Sequence, residues 1–186
     1  FTACDNADDP VDPGNGGGNG SGSLIPEGDG TEASPLNVTQ ALARKNNNSV
    51  AWVKGYIVGQ VPGASLREAE FQQPFSNPVY TNDDGSTTIG DVGTNVLIAD
   101  SPVEDNVSAC LVVQLPAGAI RNQLNLVTNQ GNDGKVVELQ GTLQQYFGAF
   151  GLKSVTAAKL EGQTITDGPV NPGDPTGNGT EASPYN

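Results

Sequence analysis

The feature that most constrains this chain is a change of apolar period. Between residues 49 and 160 hydrophobic side chains alternate as strands require, and in a single stretch they switch to helical spacing. Residues 49–61 are rich in β-formers (Val50, Trp52, Val53, Tyr56, Ile57, Val58), with Gly55 and Gly59 placed where a strongly coiled strand bends. Residues 94–100, with Val96, Leu97 and Ile98, and residues 110–115 read as a second and third strand, each bounded by turn residues. In 116–127 the period changes, because Ile120, Leu124 and Val127 lie three to four apart. Residues 135–147 (Val136, Val137, Leu139, Gly141, Leu143) and 152–160 return to strand.

Three strands, a helix and two strands is the chain order of an OB barrel. The expected fold class is therefore mainly β: a five-stranded OB-type Greek-key barrel with a helix between strands three and four and a short N-terminal helix. A β-sandwich is the alternative, but it offers no natural place for the central helix. The N-terminal helix begins at Asn37, a good N-cap, with Gln40 three residues on as in a capping box. Val38, Ala41 and Leu42 form its apolar stripe, it should end by Asn46, Asn47 and Asn48, and it is expected to plug one end of the barrel.

The flanks are of another kind. Many of the 25 glycines and 13 prolines crowd into residues 10–30 and 167–179, which read as linkers. Ahead of them stand Phe1, Thr2, Ala3 and Cys4, followed by Asp5, Asp8, Asp9 and Asp12. Small residues at the two positions before a cysteine, preceded by a bulky apolar one, resemble the lipobox of bacterial lipoproteins. That resemblance implies a signal-peptide remnant at 1–3, a lipidated Cys4, and an acidic, then Gly/Asn/Ser-rich tether over 4–29. The alternative is an ordinary terminus with a chance cysteine. The acidic run is similar to the export signals of Bacteroidota surface lipoproteins; a solvated linker is its plainer reading. The phrase GTEASP stands at residues 30–35 and again at 179–184, 149 residues further on, as a tandem array would have it. The barrel domain is accordingly placed at 30–166, and 167–186 is read as a linker and the start of a second repeat. The natural protein is expected to continue past Asn186.

The segments AWVKGYIVG, NVLIADS, ACLVVQLPAGAIRNQLNL and GKVVELQGTLQQYFGAFGLKSVTAAKL resemble the uncharacterised OB-fold domains of Bacteroidota surface lipoproteins, tandem and introduced by a GTEASP-like phrase. The resemblance covers about residues 30–165. It implies an outer-membrane, surface-exposed location and carries no functional residues.

Eight basic against 21 acidic residues give a formal charge of −13, which repels polyanions and makes nucleic acid a disfavoured partner. The chain has no histidine, the commonest general base and metal ligand. Cys110 opens an apolar run and reads as a small buried hydrophobe. No stretch reaches the roughly 18 apolar residues of a membrane span, so contact with a membrane is expected only through the anchor at Cys4. No serine sits in a nucleophile elbow, no paired carboxylates stand out on neighbouring strands and there is no phosphate loop; no catalytic set, metal or cofactor is expected.

OB barrels hold ligands across strands two and three, between the loop joining strands one and two and the loop joining strands four and five. The first of those loops, 62–93, is long and carries Phe71, Phe75 and Tyr80; the second, 148–151, is flanked by Tyr146, Phe147 and Phe150. These six aromatics either form a stacking platform or cap the core. Trp52, Lys54 and Tyr56 share one face of the first strand, and core packing accounts for the tryptophan. Arg44, Arg67, Arg121, Lys135, Lys153 and Lys159 are too scattered to make a basic stripe. Asn82, Asp83, Asp84, Gly85 and Asp91 offer oxygens suited to calcium, but their spacing departs from an EF-hand loop, and a plain turn is expected. The function expected is a non-catalytic recognition or spacer module, a monomeric domain in a tandem array, with a glycan or a protein as ligand. An accessory domain of an exported nuclease or glycan hydrolase is the alternative, and single-stranded nucleic-acid binding a third reading.

Overall fold

In the computed structural model, residues 23–166 are described. Cys4, the acidic tether and the second GTEASP copy lie outside them. The barrel strands are β1 (Val50–Gly59), β4 (Asn95–Ala99), β5 (Leu111–Gln114), β6 (Val136–Tyr146) and β7 (Ala149–Leu160). Two short strands, β2 (Val79–Thr81) and β3 (Thr87–Ile89), form a separate hairpin, and β8 (Gln163–Thr164) extends the edge of β7. Hydrogen-bonded neighbours run β5, β4, β1, β6, β7, and a parallel pairing of β5 with β7 closes the ring at Val112↔Gly151 and Val113↔Leu152. This is a five-stranded mixed barrel of OB order.

Helix α1 (Val38–Ala43) is started by the expected capping box: Asn37 Oδ1 accepts from Gln40 N at 2.8 Å, and Gln40 Oε1 accepts from Asn37 N at 3.2 Å. Asp100, at the end of β4, adds a second cap by accepting from Val38 N at 2.7 Å and Thr39 N at 2.9 Å. Val38 and Ala41 point into the main core, so the helix plugs one end of the barrel. Helix α2 (Ala119–Leu124) lies between the third and fourth barrel strands and buries Leu124.

The barrel interior holds Ala51, Val53, Ile57, Val96, Ile98, Leu111, Val113, Leu139 and Leu143, which alternate along their strands. Trp52 departs from its expected place. It is buried, but on the outer face of β1, because the interior takes the smaller Ala51 and Val53 on either side of it. There Lys159 Nζ lies 5.2 Å from its ring centre. Lys54, Glu138 and Lys159 stand side by side on β1, β6 and β7, with Lys54 Nζ 2.9 Å from Glu138 Oε1. Residues 24–29, assigned to the tether from sequence, pack on the domain instead. Ile25 is buried, Asn37 Nδ2 donates to its carbonyl, and Gly28 N donates to Gln40 Oε1 at 2.8 Å.

Candidate functional site

The long segment between β1 and β4 is an insert folded back on the barrel. Gln60 and Glu70 exchange backbone hydrogen bonds, 3.0 and 2.9 Å, and Val79 N donates to Pro62 O at 2.9 Å. Gly59 makes this return possible: a Cβ there would stand 2.2 Å from the carbonyl oxygen of Glu70. Asn95 secures the other end, its side-chain amide pairing with Val61 N at 2.8 Å and Val61 O at 2.9 Å as a peptide would.

The insert lays Leu66, Ala69 and Phe71 over the outside of strands two and three of the barrel. Beneath them Val58, Val61, Leu97, Ala99, Cys110 and Val112 form a second apolar cluster, with Leu97 and Ala99 fully buried. The face across which OB barrels hold ligands is therefore covered by the protein's own chain. Cys110 is part of this layer. Burial pushes its thiol pKa up to about 12, with Glu104 and Asp105 opposing ionisation further.

The six aromatics singled out in the sequence separate. Phe75 is buried in the main core. Phe71 covers the outer layer, and Phe150 lines a cavity of about 460 Å³ beside the end of α1. Tyr80, Tyr146 and Phe147 come together around a cleft of about 410 Å³ between the insert and the β6–β7 turn. That turn is residues 147–148, tighter than the 148–151 loop read from sequence, because Ala149 already pairs with Tyr146. Phe147 and Gly148 both take left-handed backbone, with φ of 52° and 75°, as a two-residue hairpin turn requires. In this turn the Phe147 ring lies beside Tyr146, with ring centres 4.6 Å apart and planes at 61°.

Val61, Pro62, Pro78, Thr94 and Asn95 are among the other residues of the cleft, and its lining contains no charged side chain. Sequence patterning did not single out these five: they gather there only because the insert doubles back. The Tyr146 phenol is raised above its ordinary pKa by burial, opposed in part by a hydrogen bond from the Thr94 side chain and by the charge of Arg121. The cleft thus offers aromatic faces, hydroxyl groups and backbone, a set that suits stacking and hydrogen bonding and provides no nucleophile–base pair. The segment 82–86 closes the β2–β3 hairpin: Asn82 N donates to Ser86 O at 2.8 Å, and Asp84 accepts from Ser86 N and Oγ, which lower its pKa. Among the described residues no group of three or more Cys, Asp or Glu is gathered as metal ligands.

Fold and cleft together define a small OB-type barrel domain with a self-covered outer face and an aromatic mouth. The chain belongs to the family described as a domain of unknown function, DUF6359, which it matches over residues 36–161. It is also similar to part of Endonuclease YhcR of Bacillus subtilis (strain 168), 31% identical over 132 residues. That stretch is 71% of this chain and spans 9% of the length of the endonuclease. No solved structure matches the chain.

Proposed function

We propose that the domain is a non-catalytic recognition module of a lipid-anchored cell-surface protein, and that its ligand is a glycan held in the cleft between the insert and the β6–β7 turn. The observation that carries this reading is the convergence of Tyr80, Tyr146 and Phe147 on one uncharged cleft, with Tyr80 still 40% exposed. Flat aromatic rings stack on the apolar face of a pyranose, while hydroxyl and backbone groups satisfy its rim. The usual ligand face lies under the insert, while the mouth stays open and gathers three of the aromatic rings, against the single ring of Phe150 in the cavity beside α1. Probing a saccharide array with the full chain tests the proposal. Tyr80→Ala should weaken retained ligands about tenfold, the scale of one lost stacking contact of ~1.4 kcal/mol. Phe147→Asn keeps a residue suited to left-handed backbone and should weaken binding without unfolding the barrel. Absence of any retained saccharide would refute the assignment. The anchor is tested separately by the mass of native Cys4, which should carry a diacylglyceryl adduct.

A second reading has its own support. Because the similar stretch is a small fraction of an endonuclease, the domain also suits an accessory role in a larger exported hydrolase. A hydrolase domain encoded in the same reading frame is the expected finding, and its absence would sink this reading.

A further inference from the structure

The cleft lies in an acidic domain, with 14 acidic against eight basic residues between positions 23 and 166. Two cations nonetheless stand near it, and neither has a carboxylate within salt-bridge distance among the described residues. Lys153 Nζ is 5.8 Å from the centre of the Tyr146 ring. Arg121 is fixed by two hydrogen bonds to the carbonyl of Leu115, from Nε at 3.0 Å and Nη2 at 2.7 Å. The N–H of Leu115 in turn donates to the carbonyl of Thr94 at 2.9 Å, and Thr94 lines the cleft. The guanidinium is thus bonded to the residue that pairs with Thr94, outside the cleft's own lining, and its hydrogen-bond partner is a neutral carbonyl. By contrast, Lys54 and Lys159 are paired with Glu138 and Glu32.

We infer that the cleft takes an acidic saccharide, a sugar whose ring stacks on the aromatic wall and whose single carboxylate, sulfate or phosphate group faces Arg121 and Lys153. This rests on the glycan reading above and narrows it. A guanidinium held by a carbonyl keeps its charge and spare N–H groups for an anion. A polyanionic strand is a different matter, since the excess of 14 acids over eight bases repels a long row of phosphates while tolerating one anion at a local cationic spot.

The test is saturation-transfer NMR and calorimetry on the full chain with three probes: a neutral glucose disaccharide, the matching disaccharide ending in glucuronate, and a single-stranded oligothymidylate. The glucuronate disaccharide should bind about threefold to fivefold more tightly than the neutral one at low salt, the range of one part-exposed ion pair, and lose that margin at high salt. Arg121→Gln with Lys153→Gln should bring the affinities for the two disaccharides together, so that their ratio falls to about one at low salt. Binding of the two sugars with equal affinity overturns the inference and leaves the glycan module standing. Tighter binding of oligothymidylate than of either sugar overturns it in favour of a nucleic-acid ligand. Binding of no probe overturns it together with the glycan reading.

Discussion

Leu97→Ala tests whether the outer face of strands two and three is a second core or a ligand platform under a loose loop. Leu97 is fully buried on the outer side of β4, beneath Leu66, Ala69 and Phe71, while its neighbour Ile98 is fully buried on the inner side. Truncating a fully buried leucine to alanine costs roughly 3–5 kcal/mol where the surroundings cannot collapse, because transfer and cavity terms add. If the insert packs as a core element, Leu97→Ala and Ile98→Ala should cost about the same, ~3 kcal/mol each. In a domain this size that corresponds to a melting temperature about 10 °C lower. Trp52 is the only tryptophan, is 7% exposed and lies away from both sites, so its fluorescence in a urea titration follows the whole barrel. An Ile98→Ala loss near 3 kcal/mol beside a Leu97→Ala loss under about 1 kcal/mol would refute the reasoning: the insert would then be a yielding cover, and the face below it open to a ligand.

Two further predictions concern stability alone. Asp100→Ala removes the acceptor of Val38 N, Thr39 N and Thr39 Oγ1, and should cost ~1–2 kcal/mol by urea titration, with Asp100→Asn recovering part of it through its amide oxygen. The Cys110 thiol, pushed up to about 12 from 9.0, stays neutral in the folded protein after the unfolded chain has begun to ionise. Its contribution is therefore fully present below about pH 9 and is lost as pH rises towards 12, at up to ~1.4 kcal/mol per pH unit; the stability difference between wild type and Cys110→Val should shrink or reverse over that window, and a difference constant with pH would contradict it.

The five barrel strands, both helices and the capping box were legible because each depends on local period or local hydrogen bonding. The insert was not, because its placement depends on close approach: Gly59 admits the Glu70 carbonyl, and Asn95 imitates a peptide for Val61. One sign of it stood in the sequence. Residues 95–99 read NVLIA, and after Asn95 every side chain is apolar, the mark of a strand buried on both faces rather than of one with a solvated side. For the same reason the aromatics could not be sorted beforehand: Phe75 and Tyr80 lie five residues apart in one loop, yet one is core and the other lines the cleft. The β2–β3 hairpin was hidden because its strands are three residues long and exposed throughout, so no burial pattern marks them.

The phrase GTEASP acquires a physical reason from the same barrel. β1 pairs with β6 over residues 50–56 but with β4 only from Tyr56 onward, which leaves the other edge of its first half unpaired within the ring. Residues 30–36 fill that edge: Trp52 N donates to Gly30 O at 2.8 Å, Leu36 N donates to Trp52 O at 2.9 Å, and Lys54 N donates to Leu36 O at 2.8 Å. Four of its six positions have a visible task. Gly30 takes φ of 95°, Thr31 Oγ1 accepts from Ser34 N at 3.2 Å, and Glu32 meets Lys159 Nζ at 2.7 Å over the Trp52 face. An exposed half-edge is a site for unwanted strand pairing, and a short segment that covers it at the domain entrance suppresses that risk. A phrase with these duties belongs in front of a barrel whose first strand is left half-paired.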